Sequence, residues 1–326
     1  MDFWLLVSRP AARSTLWIGW PESVQVVEPD TGTRRIGRSS RADEVVQAVI
    51  TRSIDRVLQQ LPLLHIPDDP AAPEAIHRTR IGLRRLRCDL RTFGTLVDEA
   101  SATDLLTAAR RLSNPLGDLR DNDVVQMTLA AALEQLPGVS RLEARPLFDM
   151  LEDEQKHNRE KLLKLLEGPG HETMVTFFRE ARYSMPMTSA ASRPARKVMP
   201  GLMADPWNSL EKAVGAHLKA PNDQQLHMVR LNAKRCRYAA DVLRSVVGKR
   251  VNGFVDAMTA IQDTLGIVND ASVIGSRLRD AARYTAIRPQ LLTTLLGWLE
   301  SRAAVARQLW ITDWHHGRRR ALRFWE

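Results

Sequence analysis

Apolar positions recur at helical spacing along most of this chain, beginning near Ser40. Residues 42–61 form the first such stretch, and Pro62, Pro67, Pro70 and Pro73 then interrupt it. Later interruptions fall at Asn114-Pro115, Pro137-Gly138, Gly168-Pro169-Gly170, residues 185–206, Pro221-Asn222, Gly248 and Arg288-Pro289. The segments between them are rich in Leu, Ala, Arg, Glu and Gln, which form helices readily. The pattern predicts an all-α body of about ten helices. Residues 184–200 (SMPMTSAASRPARKVMP) lose the periodicity and read as a mobile linker.

The first forty residues follow a different pattern. Short β-branched and aromatic runs at 3–7, 16–20 and 23–27 are punctuated by Pro10, Pro21, Pro29 and Gly32. They read as a few short strands or an irregular, β-like arm. Trp4, Trp17 and Trp20 lie there and need burial, which oligomerisation through this arm would supply.

The most informative feature is a self-match. Residues 76–87 read IHRTRIGLRRLR and residues 226–237 read LHMVRLNAKRCR. Aligned on His77 and His227, both carry Arg at +3, a cation at +7, and Arg at +8 and +10. A second match keeps nearly the same offset: Leu116-Gly117 precedes Asp121, as Leu265-Gly266 precedes Asp270. Two motifs in one order point to two copies of a helical unit. The expected organisation is an arm at 1–40, a first repeat at 41–183, a linker at 184–204 and a second repeat at 205–326.

Composition changes this picture in one respect. Of 326 residues, 44% are hydrophobic and 26% charged, so a sizeable core is available. Lys and Arg number 47 against 38 Asp and Glu, a net +9. Residues 77–91 hold six Arg and one Asp, and residues 227–244 hold four Arg, one Lys and one Asp. These two stretches carry +5 and +4, the entire excess. Cys88 and Cys236 are too few for a disulfide framework. No secretory leader and no membrane span is read, so a cytoplasmic protein is expected.

On a helix turning 100° per residue, His77, Arg80, Arg84, Arg87 and Arg91 share an arc of about 80°, roughly 21 Å long. His227, Arg230, Lys234 and Arg237 repeat it. A row of like charges opposes folding by a few tenths of a kcal/mol per neighbouring pair, so it calls for anionic partners. Those partners are either acidic side chains or a polyanion. The dominance of Arg suits bidentate contact with phosphate oxygens. Asp121 and Asp270 have two readings: capping or pairing with the arginines, or binding a metal with His77.

These residues resemble the CHAD family, the conserved histidine α-helical domain. The runs at 77–87 and 227–238 are similar to its two signature helices, and LGDLRDNDVV and IQDTLGIVNDASVI to its companion motifs. The resemblance covers about residues 40–326. It implies two antiparallel bundles of roughly four helices each around a basic central channel, and binding of long-chain inorganic polyphosphate at polyphosphate granules. It assigns ligand contacts to His77, Arg80, Arg84, Arg87, His227, Arg230, Lys234, Arg237 and Tyr238. Arg91 continues the stripe. Arg85 and Arg235 lie to its side, where they either reach the ligand or serve the structure. The triphosphatase domain often fused to the family has no counterpart in residues 1–42.

The expectation is a polyphosphate binder without catalytic residues, metal, cofactor or membrane contact. A nucleic-acid binder is the alternative, but the stripes lack the aromatic platforms that stack bases. A phosphohydrolase using His77, His227, Asp121 and Asp270 is a third reading, and the matched rows offer no evident nucleophile. The run from His315 to Arg320 is either a second anion patch or a solvated helix end.

Overall fold

A computed structural model describes residues 36–66, 71–136, 138–215, 221–285 and 287–326. Among these residues the fold is all-α, with no strand and two isolated β-bridges. The strands expected at residues 3–27, and any oligomerisation through them, lie outside the described residues.

The described residues begin with four long helices: α1 (Ala42–Leu64), α2 (Ala72–Phe93), α3 (Glu99–Gln135) and α4 (Arg141–Glu167). α5 (Gly170–Tyr183) packs back on α1. A connector holding the single turn α6 (Ala195–Val198) leads to α7 (Ala204–Gly215), α8 (Asp223–Val247), α9 (Asn252–Ala281) and α10 (Pro289–Gly317). The first basic run lies in α2 and the second in α8. Each of these helices ends in a glycine followed by a 3-10 turn, Gly94–Leu96 and Gly248–Val251. Gly248 has φ 81°, the left-handed value that ends a helix at little cost only for glycine.

α2 lies close on α1. A Cβ at Gly82 would sit 2.9 Å from the Ser53 carbonyl and 3.0 Å from Val57, so this helix pair requires the glycine inside the first basic run. The main core runs from Val45, Ile50 and Leu83 through Leu116 and Trp207 to Cys236, Phe254 and Trp310. A second core joins the far ends of α3 and α4 to those of α9 and α10, through Leu129, Leu147, Leu278 and Leu295. Ion pairs Arg288–Glu143 and Arg277–Glu154 cross beside it.

Three expectations are corrected. The break read at Asn114-Pro115 is absent: α3 continues through Pro115 for 37 residues. Leu112, Leu116 and Leu119 are buried on either side, and that packing offsets the hydrogen bond proline cannot make. Asp118, Asp121 and Asp123 are therefore mid-helix residues and cannot cap it. The segment read as a mobile linker is instead strapped down. Met185, Ala191, Ala195, Met199 and Met203 are buried. Its backbone bonds to that of Ser40, Ala42, Leu96 and Asp98 at 2.9–3.0 Å, satisfying polar groups a loose linker would leave to water. At the other end of the chain, α10 ends at Gly317 with His315, His316, Arg318, Arg319 and Arg320 exposed, as at a solvated helix end.

Candidate anion-binding site

Pro73 near its start sets α2 going, with its fixed φ suited to a first turn. Asn222 caps α8, accepting from the Gln225 backbone N–H at 2.9 Å, while Gln225 Oε1 accepts the Asn222 N–H. The two helices touch through contacts that run in opposite directions along them. Arg84 Nε donates to the Tyr238 hydroxyl at 3.2 Å, Arg85 Nη2 to Asp241 at 3.3 Å, and Arg235 Nη2 to the Arg91 carbonyl at 3.2 Å. Each +8 arginine thus reaches the +14 residue of the other run.

To one side of this contact a cavity of about 480 Å³ opens between α2, α3, α8, α9 and α10. His77, Arg80 and Arg84 line it from α2, and His227, Arg230 and Lys234 from α8. These six are the 0, +3 and +7 positions of the two runs. Arg120 and Arg302 add two cations. Asp121, Asp263 and Asp270 are the lining carboxylates. Among the described lining residues, with the histidines neutral, six cations face three anions.

The companion motif explains how Arg80 is held. Its Nη1 donates to the carbonyls of Leu116 at 3.2 Å and Gly117 at 2.6 Å, and to Asp121 at 3.0 Å. Burial pulls the Arg80 guanidinium below its ordinary range, Asp121 opposes this, and Arg84 and Arg120 reinforce it. In the second run, a Cβ at Gly266 would lie 3.7 Å from Arg230 Nε, a buried atom that makes no hydrogen bond. Burial pushes the Asp270 carboxyl up, with Arg230 acting against the shift and Asp121 adding to it. Asp121 pairs with Arg80, which is the structural half of its sequence reading. Among the described residues, no group of three His, Cys, Asp or Glu is placed to hold a metal.

His227 Nδ1 bonds the Asn269 side-chain oxygen. The position matching Asn269 in the first half is Arg120, which has no acceptor to offer His77.

The other six candidates do not line the cavity. Arg85 and Arg235 are engaged in the α2–α8 contact, and Arg235 also pairs with Asp205 of α7. The Arg87 and Arg91 side chains are exposed outside the cavity, although the Arg91 backbone carbonyl takes part in the α2–α8 contact. Tyr238 is 2% exposed and Arg237 9%. The Tyr238 ring lies under three cations, with Arg85 and Arg237 Cζ at 4.9 Å and Lys234 Nζ at 5.9 Å from its centroid. It supports the cationic rows from within the protein. Sequence reasoning did not single out Arg120, Asn269 or Arg302. Arg120 sits inside the quoted companion motif, so its spacing from Asp121 was the available signal. Arg302 stacks on Trp298 in α10 and belongs to no repeated motif.

This fold and site define an all-helical protein whose two basic helices, each paired with a Leu-Gly-x-x-x-Asp companion, face one cavity. The CHAD domain family profile matches residues 48–279, and the chain belongs to that family. Two solved structures are similar in fold. PptA from Streptomyces chartreusis has a TM-score of 0.68 at 19% identity, over 85% of this chain and 100% of that one. The CHAD domain of the plant Ricinus communis has a TM-score of 0.65 at 20% identity, over 89% of this chain and 96% of that one. No curated protein matches the chain. No helix among the described residues is long and apolar enough to cross a membrane.

Proposed function

We propose that this protein binds long-chain inorganic polyphosphate in the cavity between α2 and α8, without turning it over, and that it associates with polyphosphate granules in the cytoplasm. One observation carries this reading: His77, Arg80, Arg84, His227, Arg230 and Lys234 come from two helices 150 residues apart and face the same space. A chain that is charged on every unit can meet both rows at once. Arginine supplies forked donors to its phosphate oxygens and lysine a point charge. Membership of the CHAD family supports the same ligand. Among the described residues, the lining carries no Phe, Tyr or Trp on which a base would stack, which favours an inorganic polymer over nucleic acid.

Binding by phosphate neutralisation releases counterions, so affinity falls steeply as salt rises. Titration of the purified protein with long-chain polyphosphate at low and moderate salt tests the reading. Saturable binding that outcompetes single-stranded RNA supports it, and no binding at low salt overturns it. Chain-length analysis after incubation with Mg²⁺ tests the absence of turnover, since shortened polymer would contradict it. Fluorescent tagging of the protein beside a granule stain tests the location.

A further inference from the structure

The cavity contains carboxylates that a polyphosphate site has no evident use for. Asp121 and Asp270 occupy matched positions after the two Leu-Gly pairs, and both line the cavity. They lie within electrostatic reach of each other, and each stands by the +3 arginine of its own half. A phosphate entering this space meets these two carboxylates as well as the cations.

The Asp121 carboxylate is not needed to place Arg80. The same Nη1 that reaches it is also held by the Leu116 and Gly117 carbonyls, which belong to the α3 backbone. What the carboxylate does contribute is charge. Arg80, Arg84 and Arg120 repel one another beside the cavity, and Asp121 is the anion that offsets this for Arg80. Its side chain is 55% exposed, so an incoming phosphate can displace it without opening the core.

We propose that Asp121 and Asp270 are built-in counterions: they neutralise the arginines of the empty cavity, yield them to phosphate, and hold affinity below what the cations alone would give. This rests on the polyphosphate reading above. It makes binding an exchange of one anion for another, which keeps the empty protein stable and the bound polymer releasable.

The test compares wild type, Asp121→Asn and Asp270→Asn in titrations with long-chain polyphosphate, in EDTA and in Mg²⁺, with melting of each protein before ligand is added. Asp205→Asn is the control, because it removes the same charge from the Arg235 ion pair outside the cavity. A like charge a few ångströms from the ligand, largely screened by water, corresponds to about three- to tenfold in affinity. The expected result is tighter binding by that factor in both cavity variants. The ligand-free Asp121→Asn protein should melt lower than wild type, and Asp205→Asn should bind as wild type does. Unchanged or weaker binding in both variants, while wild type binds, overturns the inference alone. Weaker binding in Mg²⁺ only would assign the pair to holding a cation and also overturn it. A wild type that binds no polyphosphate overturns the parent reading, and this inference with it.

Discussion

The two ends of the basic stripe share a face on the helical wheel and have different environments. Up to the +7 position of each run in α2 and α8, the 0, +3 and +7 residues face one cavity. From +8 onward, residues on the stripe and beside it build the contact between the two helices or stand exposed outside the cavity. Arg85 reaches Asp241, Arg235 reaches the Arg91 carbonyl, and Tyr238 is enclosed among cations. A wheel reports which residues share a face of one helix. Where a second helix lands beside that face decides which of them line the cavity and which meet the protein.

Variants on either side of this divide should separate binding from stability. The largest effect is expected from Arg80→Ala, Arg84→Ala, Arg230→Ala and Lys234→Ala combined. Each charged hydrogen bond contributes about 1.5–3 kcal/mol, so polyphosphate affinity should fall at least about a hundredfold. Circular dichroism should show helicity retained, and the salt dependence of the remaining binding should flatten. Next is Tyr238→Ala, which removes a buried ring from the helix contact and should destabilise the fold by about 3–5 kcal/mol in urea. Tyr238→Phe, which loses only the hydroxyl that accepts from Arg84, should cost about 1 kcal/mol.

Asp89 offers a pH test of the same contact region. It is buried one turn beyond Arg85, and burial pushes its carboxyl up to about 8, with Arg85 opposing and Asp241 adding. The folded protein therefore holds a proton that the unfolded chain releases above the ordinary carboxylate range. Its stabilising contribution is complete in acid and is lost as pH rises toward about 8. Asp89→Asn should remove that decline, seen as a smaller difference in melting temperature between pH 5 and pH 8. The smallest effect is expected from Arg87→Ala with Arg91→Ala. Both residues are exposed and outside the cavity, and affinity should change less than about threefold, as when surface charges are lost to screening.

Much of this was legible in the sequence. Helical spacing and the Pro and Gly interruptions give the all-α class and most element ends, because amphipathic packing and turn chemistry are local properties. The self-match places the two basic helices and their Leu-Gly-x-x-x-Asp partners. What escaped depends on tertiary contact. Pro115 does not end α3, because buried leucines on both sides hold the helix together. Residues 184–200 look loose until Ser40, Ala42, Leu96 and Asp98 are seen to satisfy their backbone. Arg120 and Arg302 join the site from neighbouring helices, and the wheel of α2 or α8 cannot show them. Arg85 and Arg235 could not be assigned without knowing that each ends on the other's helix.

The most direct test of the central claim is a crystal structure of the full chain with polyphosphate bound. The account predicts a chain of phosphate density in the cavity, with oxygens within hydrogen-bond distance of Arg80 and Arg84 on one side and Arg230 and Lys234 on the other. Density confined to the exposed face of Arg87 and Arg91, with the cavity free of phosphate, would contradict it.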